Sequence, residues 1–148
     1  MDDLATRPGD AGRGAALARD QAQIVEDSFA TIGPVTLEMG EAFYENLFET
    51  APDLRGMFAQ ATVQQAMRFS EVLAYIVSNL RAPERLLPIV RALGARHREI
   101  GVVAEQYAPF RAAFLKTLQQ RMQQGWTPEV ATAWASTFDM VAEEMLKA

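Results

Sequence analysis

The stretch that decides the fold is PERLLPIVRALGARHREIGVVAEQY, residues 83–107, which contains the only histidine of the chain. Its apolar residues Leu86, Val90 and Leu93 are followed by His97 at spacings of four, three and four residues. These spacings are typical of one face of an α-helix, so we expect the helix to bury His97 one turn beyond Leu93. A lone buried histidine is more often a hydrogen-bonded core residue than a ligand, and its neighbours must decide between the two.

Helical periodicity continues on both sides of this stretch, and no segment shows the alternation of a β-strand. Prolines and glycines divide the sequence into predicted helices at 21–32, 34–50, 62–80, 83–98, 105–123 and 128–147, with a short turn at 52–57. The first 20 residues are rich in Gly, Asp and Arg, which predicts a flexible leader at 1–20 and one domain at 21–148. Amphipathic helices joined by short links predict an all-α domain with a single core.

The composition excludes several classes of function. The chain has no cysteine, which rules out disulfides, thiolate nucleophiles, iron–sulfur clusters and covalently attached haem. Its 14 Lys and Arg against 19 Asp and Glu give a net charge of −5, which opposes nucleic-acid binding. No apolar run reaches the roughly 20 residues of a membrane span, and no apolar segment typical of a secretory signal is present. We therefore expect a cytoplasmic protein that binds neither nucleic acid nor membrane.

Two groups of short segments resemble the bacterial single-domain globins and the globin domain of flavohaemoglobins. Three segments are similar to the proximal half of these globins: LGARH at 93–97, GVV at 101–103 and EQYAP at 105–109. Three others are similar to their distal half: FYENLF at 43–48, APDLR at 51–55 and Phe58. The resemblance covers nearly all of the chain after residue 20, and it implies a globin fold with six to seven helices around a haem pocket.

The spacings between Tyr44, Phe58, Gln65 and His97 also agree with that family. Phe58 follows Tyr44 by 14 residues, Gln65 follows Phe58 by 7, and His97 follows Gln65 by 32. The resemblance implies that His97 binds the iron of non-covalent haem b (iron protoporphyrin IX), and that Phe58 packs against the porphyrin. It implies that Tyr44 and Gln65 face the bound gas. A phenol O–H and an amide N–H would be two donors that slow the release of oxygen.

The distal residues also have structural interpretations. Tyr44 could be an ordinary core tyrosine. Gln65 could cap its own helix, because Thr62 to Gln65 fits the S/T-x-x-E/Q capping box. Phe69 lies one turn after Gln65, at the apolar distal position. The family often has a smaller aliphatic residue there, so Phe69 is expected to crowd the iron or narrow the ligand channel.

The remaining candidates lie around the expected cofactor. The resemblance implies that Arg68 reaches a haem propionate, although it could equally be a solvated surface residue. Leu93 and Val102 resemble apolar contacts on the proximal side. Tyr107 resembles a tyrosine that helps a glutamate bind the proximal imidazole, but that glutamate is missing because its position would fall just past Ala148. Its absence puts peroxidase-type chemistry in doubt.

Two functions follow from this resemblance. One is reversible binding of dioxygen and other diatomic gases such as NO and CO. The other is oxidation of nitric oxide to nitrate, which would need a separate reductase, because a globin and a leader account for the 148 residues. The alternative from a different class is a globin-like regulatory or gas-sensing module that binds no haem and keeps His97 in its core.

Overall fold

The computed structural model describes residues 20–33, 36–58 and 63–147. Within these ranges the chain forms six α-helices, and no β-strand is present. The helices are α1 (20–30), α2 (Leu37–Thr50), α3 (Val63–Ser78), α4 (Pro83–Glu99), α5 (Tyr107–Met122) and α6 (Pro128–Leu146). Short 3-10 helices occur at Pro52–Gly56, Ala104–Gln106 and Gln123–Gly125. The predicted all-α fold is confirmed, and of the predicted leader only Asp20 is described, as the first described residue of α1.

Local signals in the sequence set the helix ends. Pro83 begins α4, since its fixed φ and missing N–H suit the first turn of a helix. Gly101 follows the end of α4 with a φ of 96°, a left-handed conformation that glycine adopts without strain. Thr127 caps α6, because its side-chain oxygen accepts a hydrogen bond from the Val130 N–H at 3.2 Å. Pro34, the predicted start of α2, lies outside the described residues, and α2 begins at Leu37.

The helices pack in two groups that share one core. Helix α2 packs against α3 and α5, whereas α4 and α5 pack against α6. Two of these crossings have a glycine at the point of contact. A Cβ at Gly40 would overlap the Ala66 backbone, and a Cβ at Gly94 would overlap the Met145 backbone. Glycine therefore allows α2 to approach α3, and α4 to approach α6, more closely than any larger residue would.

Buried polar groups inside the core are hydrogen-bonded between helices. The Trp134 indole N–H on α6 donates to the Ser28 hydroxyl on α1 at 2.9 Å. The Asn46 amide on α2 donates to Thr117 and to Gln120 on α5, both at 2.9 Å. Leaving such a buried group without its partner costs about 1–3 kcal/mol, so these bonds fix how the helices are paired. Over the part of the chain that is described, no helix is long and apolar enough to cross a membrane.

Candidate functional site

A cavity of about 260 Å³ lies among helices α2 to α6. Its walls are mostly aromatic and aliphatic, and none of the described residues that line it is Asp or Glu. Eight of the nine predicted site residues line this cavity, Val102 being the exception. The lining comprises Phe43, Tyr44, Leu47, Phe58, Gln65, Arg68, Phe69, Val72, Leu73, Ile76, Leu93, Arg96, His97, Ile100, Tyr107, Phe110, Phe114, Trp134, Thr137, Phe138, Val141 and Met145.

The protonation state of His97 is set by its own helix. Its Nδ1 lies 2.8 Å from the Leu93 carbonyl oxygen. A carbonyl oxygen can only accept, so Nδ1 carries the hydrogen and donates it, and in the neutral ring Nε2 keeps its lone pair. Burial lowers the pKa of His97, and the bond to Leu93 opposes this only in part. The cavity is therefore bordered by a neutral imidazole whose Nε2 is suited to binding a metal.

The structure places Tyr44 and Gln65 on the cavity wall formed by α2 and α3. Burial raises the pKa of Tyr44 above its ordinary value, and the nearby charge of Arg68 opposes this only in part. The phenol is thus neutral at ordinary pH, and its hydroxyl can donate a hydrogen bond into the cavity. The capping interpretation of Gln65 is not tested, because Thr62 lies outside the described residues.

Phe69 and Phe58 complete this wall with aromatic packing. The Phe69 ring is stacked on Phe43, with 4.2 Å between ring centroids and 9° between planes. The same ring forms T-shaped contacts with Tyr44 and Phe114, with 6.4 Å and 6.5 Å between ring centroids. Phe58 lies 5.7 Å from the Tyr44 ring. These contacts hold the Phe69 ring at the cavity wall, as its expected role of narrowing the ligand space requires.

The mouth of the cavity carries two guanidinium groups. Arg68 on α3 and Arg96 on α4 line the cavity while their side chains are exposed, and Ile100 beside them is 40% exposed. The sequence pattern indicates Arg68 but does not indicate Arg96. The sequence signal for Arg96 is its position directly before His97. Successive residues on a helix point about 100° apart, so one can face the cavity while its neighbour lies at the rim. Guanidinium groups bind carboxylates well, so this mouth suits a ligand with anionic groups at its edge.

The structure places Val102 beyond the main cavity. Val102 lines a second cavity of about 240 Å³, whose lining shares Tyr107 and Met145 with the first. The Val102 N–H donates to the His97 carbonyl oxygen at 3.0 Å, so Val102 holds the end of α4 rather than the cavity wall. Tyr107 lies beside the imidazole, with 6.5 Å between ring centroids.

The carboxylates of α6 are engaged away from His97. Glu144 pairs with Arg91 at 3.3 Å and with Lys147 at 3.1 Å, while Glu143 is exposed. These pairs lower the pKa of Glu144 and keep it ionised on the surface, the bond to Lys147 being the largest cause. Within the described residues, the imidazole therefore has a backbone carbonyl as its partner and no carboxylate.

Comparison with known proteins of similar sequence identifies the family of this chain. The sequence model of the globin family matches residues 41–145. The chain belongs to the globin family. This globin is 29% identical to a flavohemoprotein of Bordetella parapertussis over 120 residues, which are 76% of this chain and 30% of that protein. It is 27% identical to a flavohemoprotein of Rhizobium meliloti, over 82% of this chain and 32% of that protein. It is also 27% identical to a flavohemoprotein of Halalkalibacterium halodurans, over 90% of this chain and 33% of that protein.

The globin spans about a third of the length of these curated relatives. Its family membership implies a haem site, and the residues in the cavity fit that group. A neutral imidazole borders an aromatic space suited to a flat macrocycle, and two guanidiniums stand at the mouth where carboxylates of the macrocycle would emerge. Among the described residues, no three His, Cys, Asp or Glu side chains lie together as a bare metal site.

Proposed function

We propose that this globin is a haem b protein that reversibly binds dioxygen and other diatomic gases, including NO and CO. The observation that carries this proposal is the neutral His97, held by Leu93, in one cavity with the neutral Tyr44 hydroxyl. Haem iron, when bound, supplies the coordination position at which a diatomic gas binds. The absence of cysteine excludes attachment through thioether bonds, which supports a non-covalent haem such as haem b.

Each group of residues has a separate task in this proposal. His97 presents its Nε2 electron pair to the cofactor, and the Leu93 carbonyl keeps the ring in the required tautomer and orientation. Tyr44 and Gln65 donate hydrogen bonds to a bound gas, while the surrounding aromatic side chains exclude water and so strengthen those bonds. Arg68 and Arg96 bind the anionic edge of the cofactor at the mouth.

Titration of the purified chain with haem tests this proposal. We expect saturable binding with an intense Soret band, and a further shift of the band when the reduced protein is exposed to CO. His97→Gly should lose the Soret spectrum of the imidazole-bound form, and imidazole added to the buffer should restore it, because the small ligand fills the space of the missing side chain. The module without haem would be favoured if the parent chain gave no Soret band, or if His97→Gly gave an unchanged one.

A second proposed function is the oxidation of nitric oxide to nitrate. Burial raises the pKa of the Tyr44 hydroxyl and the nearby charge of Arg68 opposes this only in part, so the phenol keeps its proton and can donate it in a hydrogen bond to a ligand that gains negative charge. One nitric oxide, one dioxygen and one electron combine to give one nitrate, so no atom is left over. The electron that this balance requires would come from a separate reductase.

Mixing the oxygenated protein with NO tests this second function. We expect about one nitrate per haem in a single turnover, and continued formation only when a reductase and its reduced nicotinamide are added. Tyr44→Phe should lower the nitrate yield per oxygen consumed. If NO only displaces oxygen and no nitrate appears, the protein binds gases without oxidising nitric oxide.

A further inference from the structure

One edge of α4 combines exposed arginines with exposed isoleucines. Arg85, Ile89, Arg96 and Ile100 follow one another at spacings of 4, 7 and 4 residues. At about 100° per residue these spacings place the three helical residues and Ile100, the C-cap of α4, within a sector of about 60°, and the row is about 22 Å long. Ile89 and Ile100 are 39% and 40% exposed, and both arginines are exposed. We call these four residues the α4 strip.

The strip is positively charged although the protein is acidic. From residue 81 to the end of α4 at residue 99 the chain contains five arginines and two glutamates, whereas the whole chain has a net charge of −5. Nearby acidic residues neutralise other arginines: Arg81 pairs with Glu26 at 3.1 Å and Arg91 with Glu144 at 3.3 Å. No described carboxylate forms an ion pair with either arginine of the strip.

The strip ends at the mouth of the cavity, because Arg96 and Ile100 also line the cavity. Arginine is enriched in the interfaces of protein complexes, and exposed apolar side chains beside it offer surface that a partner can bury. Electron-transfer complexes are small and weak, with less than about 1,200 Å² of buried surface, so a single helix edge is large enough to carry one. A partner seated there would lie directly against the opening of the site.

We propose that the α4 strip is the docking surface for an electron-donor protein that carries a cluster of carboxylates beside its redox centre. This inference rests on the proposed oxidation of nitric oxide, since only that function consumes an electron in each turnover. The charge of the strip selects an acidic partner and steers its approach, while Ile89 and Ile100 supply the apolar contact that orients it.

Binding of a reduced-flavin carrier of known acidic surface, a flavodoxin, tests this docking surface. Calorimetric titration of the flavodoxin into the haem-loaded chain should give a weak affinity, which falls as salt is added. In Arg85→Glu we expect the affinity to fall about tenfold at low salt, because a steering charge is reversed. Arg85 does not line the cavity, so this variant should load with haem and bind CO as the parent does.

Arg121→Glu is the matched control, because it makes the same change of charge on α5, outside the strip. Its affinity for flavodoxin should stay within about twofold of the parent value, since the partly buried Arg121 lies outside the strip and salt screens distant charges. Stopped-flow reduction of the ferric protein by flavodoxin should follow the same order, whereas reduction by dithionite should be equal in all three proteins. Equal losses in both variants, or binding that is insensitive to salt, would overturn the proposal.

Two other occupants give different results. Binding to vesicles of phosphatidylserine and phosphatidylcholine that is lost in Arg85→Glu, without binding to flavodoxin, would replace the protein partner with a membrane. A dimer in sedimentation that dissociates in Arg85→Glu would replace it with a second copy of the chain. If flavodoxin binds as expected but no nitrate forms from NO, the docking surface stands and the proposed oxidation fails. If nitrate forms but flavodoxin does not bind, the oxidation stands and the docking surface fails.

Discussion

Replacing Gly94 with alanine should destabilise this globin, although alanine is the better helix former. Gly94 lies in α4 three residues before His97, at the point where α4 crosses α6. A Cβ at this position would overlap the Met145 carbonyl oxygen and lie 2.6 Å from the Met145 Cα and 2.7 Å from its carbonyl carbon. All three atoms belong to the backbone, so no side-chain rotation relieves the overlap. The two helices must move apart.

The expected magnitude is the difference between two opposing effects. Alanine in a helix interior is favoured over glycine by about 0.5–1 kcal/mol. Inserting a methyl group into a close-packed contact costs about 1–3 kcal/mol, and the upper part of this range applies when backbone has to move. We therefore expect the free energy of unfolding to fall by about 1–2 kcal/mol. For a chain of this size that corresponds to a Tm about 2–8 °C lower.

Urea unfolding of the haem-free protein, followed by circular dichroism, measures this change. Gly56→Ala is the control, because a Cβ at Gly56 meets nothing within 4 Å and Gly56 does not have a positive φ. We expect the control to be unchanged or stabilised by about 0.4–1 kcal/mol, through the lower entropy of its unfolded chain. The reasoning is refuted if Gly94→Ala is as stable as the parent with the same denaturant slope, or if both variants lose equal stability.

Three further predictions concern the site and the core. Tyr44→Phe should release oxygen about tenfold faster, as loss of a hydrogen bond of about 1.4 kcal/mol requires; displacement of oxygen by CO measures this rate, and an unchanged rate would remove Tyr44 from the site. Burial holds the folded pKa of His97 below its ordinary value of 6.5, so the unfolded chain takes up the proton first and the haem-free protein should lose stability as the pH falls below 6.5. Urea midpoints over this range measure the effect, and His97→Gln, which removes the only histidine, should make the slope shallower. Ser28→Ala should cost about 1–3 kcal/mol, because the buried Trp134 N–H loses its acceptor; a Tm within about 1 °C of the parent value would contradict this.

The helices were predictable because their signals are local. The fourth helix was predicted at 83–98 and observed at Pro83–Glu99, since a first-turn proline and a left-handed glycine mark its two ends. The prediction for α5 was less accurate, because residues 104–106 form a 3-10 turn before Tyr107. That turn depends on a hydrogen bond from the Val103 N–H to the Gln106 side chain at 2.9 Å, which helical periodicity does not encode.

The candidate site was only partly predictable, because periodicity tells which face of a helix is buried but not which cavity it borders. Val102 is an example: it is buried as its apolar side chain predicts, but the turn at Gly101 directs it to the second cavity. Arg96 is the opposite case, a charged residue that is typical of a solvated surface and nonetheless lies at the mouth. Both positions depend on how α4 sits against its neighbours, which is a tertiary property.

The partner of His97 connects this architecture to the proposed chemistry. A carboxylate bonded to Nδ1 would draw the proton towards itself and make the imidazole a stronger electron donor to iron. Here the acceptor is the neutral Leu93 carbonyl, four residues back in the same helix, and Glu144 is engaged by Arg91 and Lys147 at the surface. Strong donation from the proximal ligand favours cleavage of an O–O bond. In the proposed gas-binding function, a weakly donating His97 in one cavity with the neutral Tyr44 hydroxyl would favour holding dioxygen intact, as reversible binding requires.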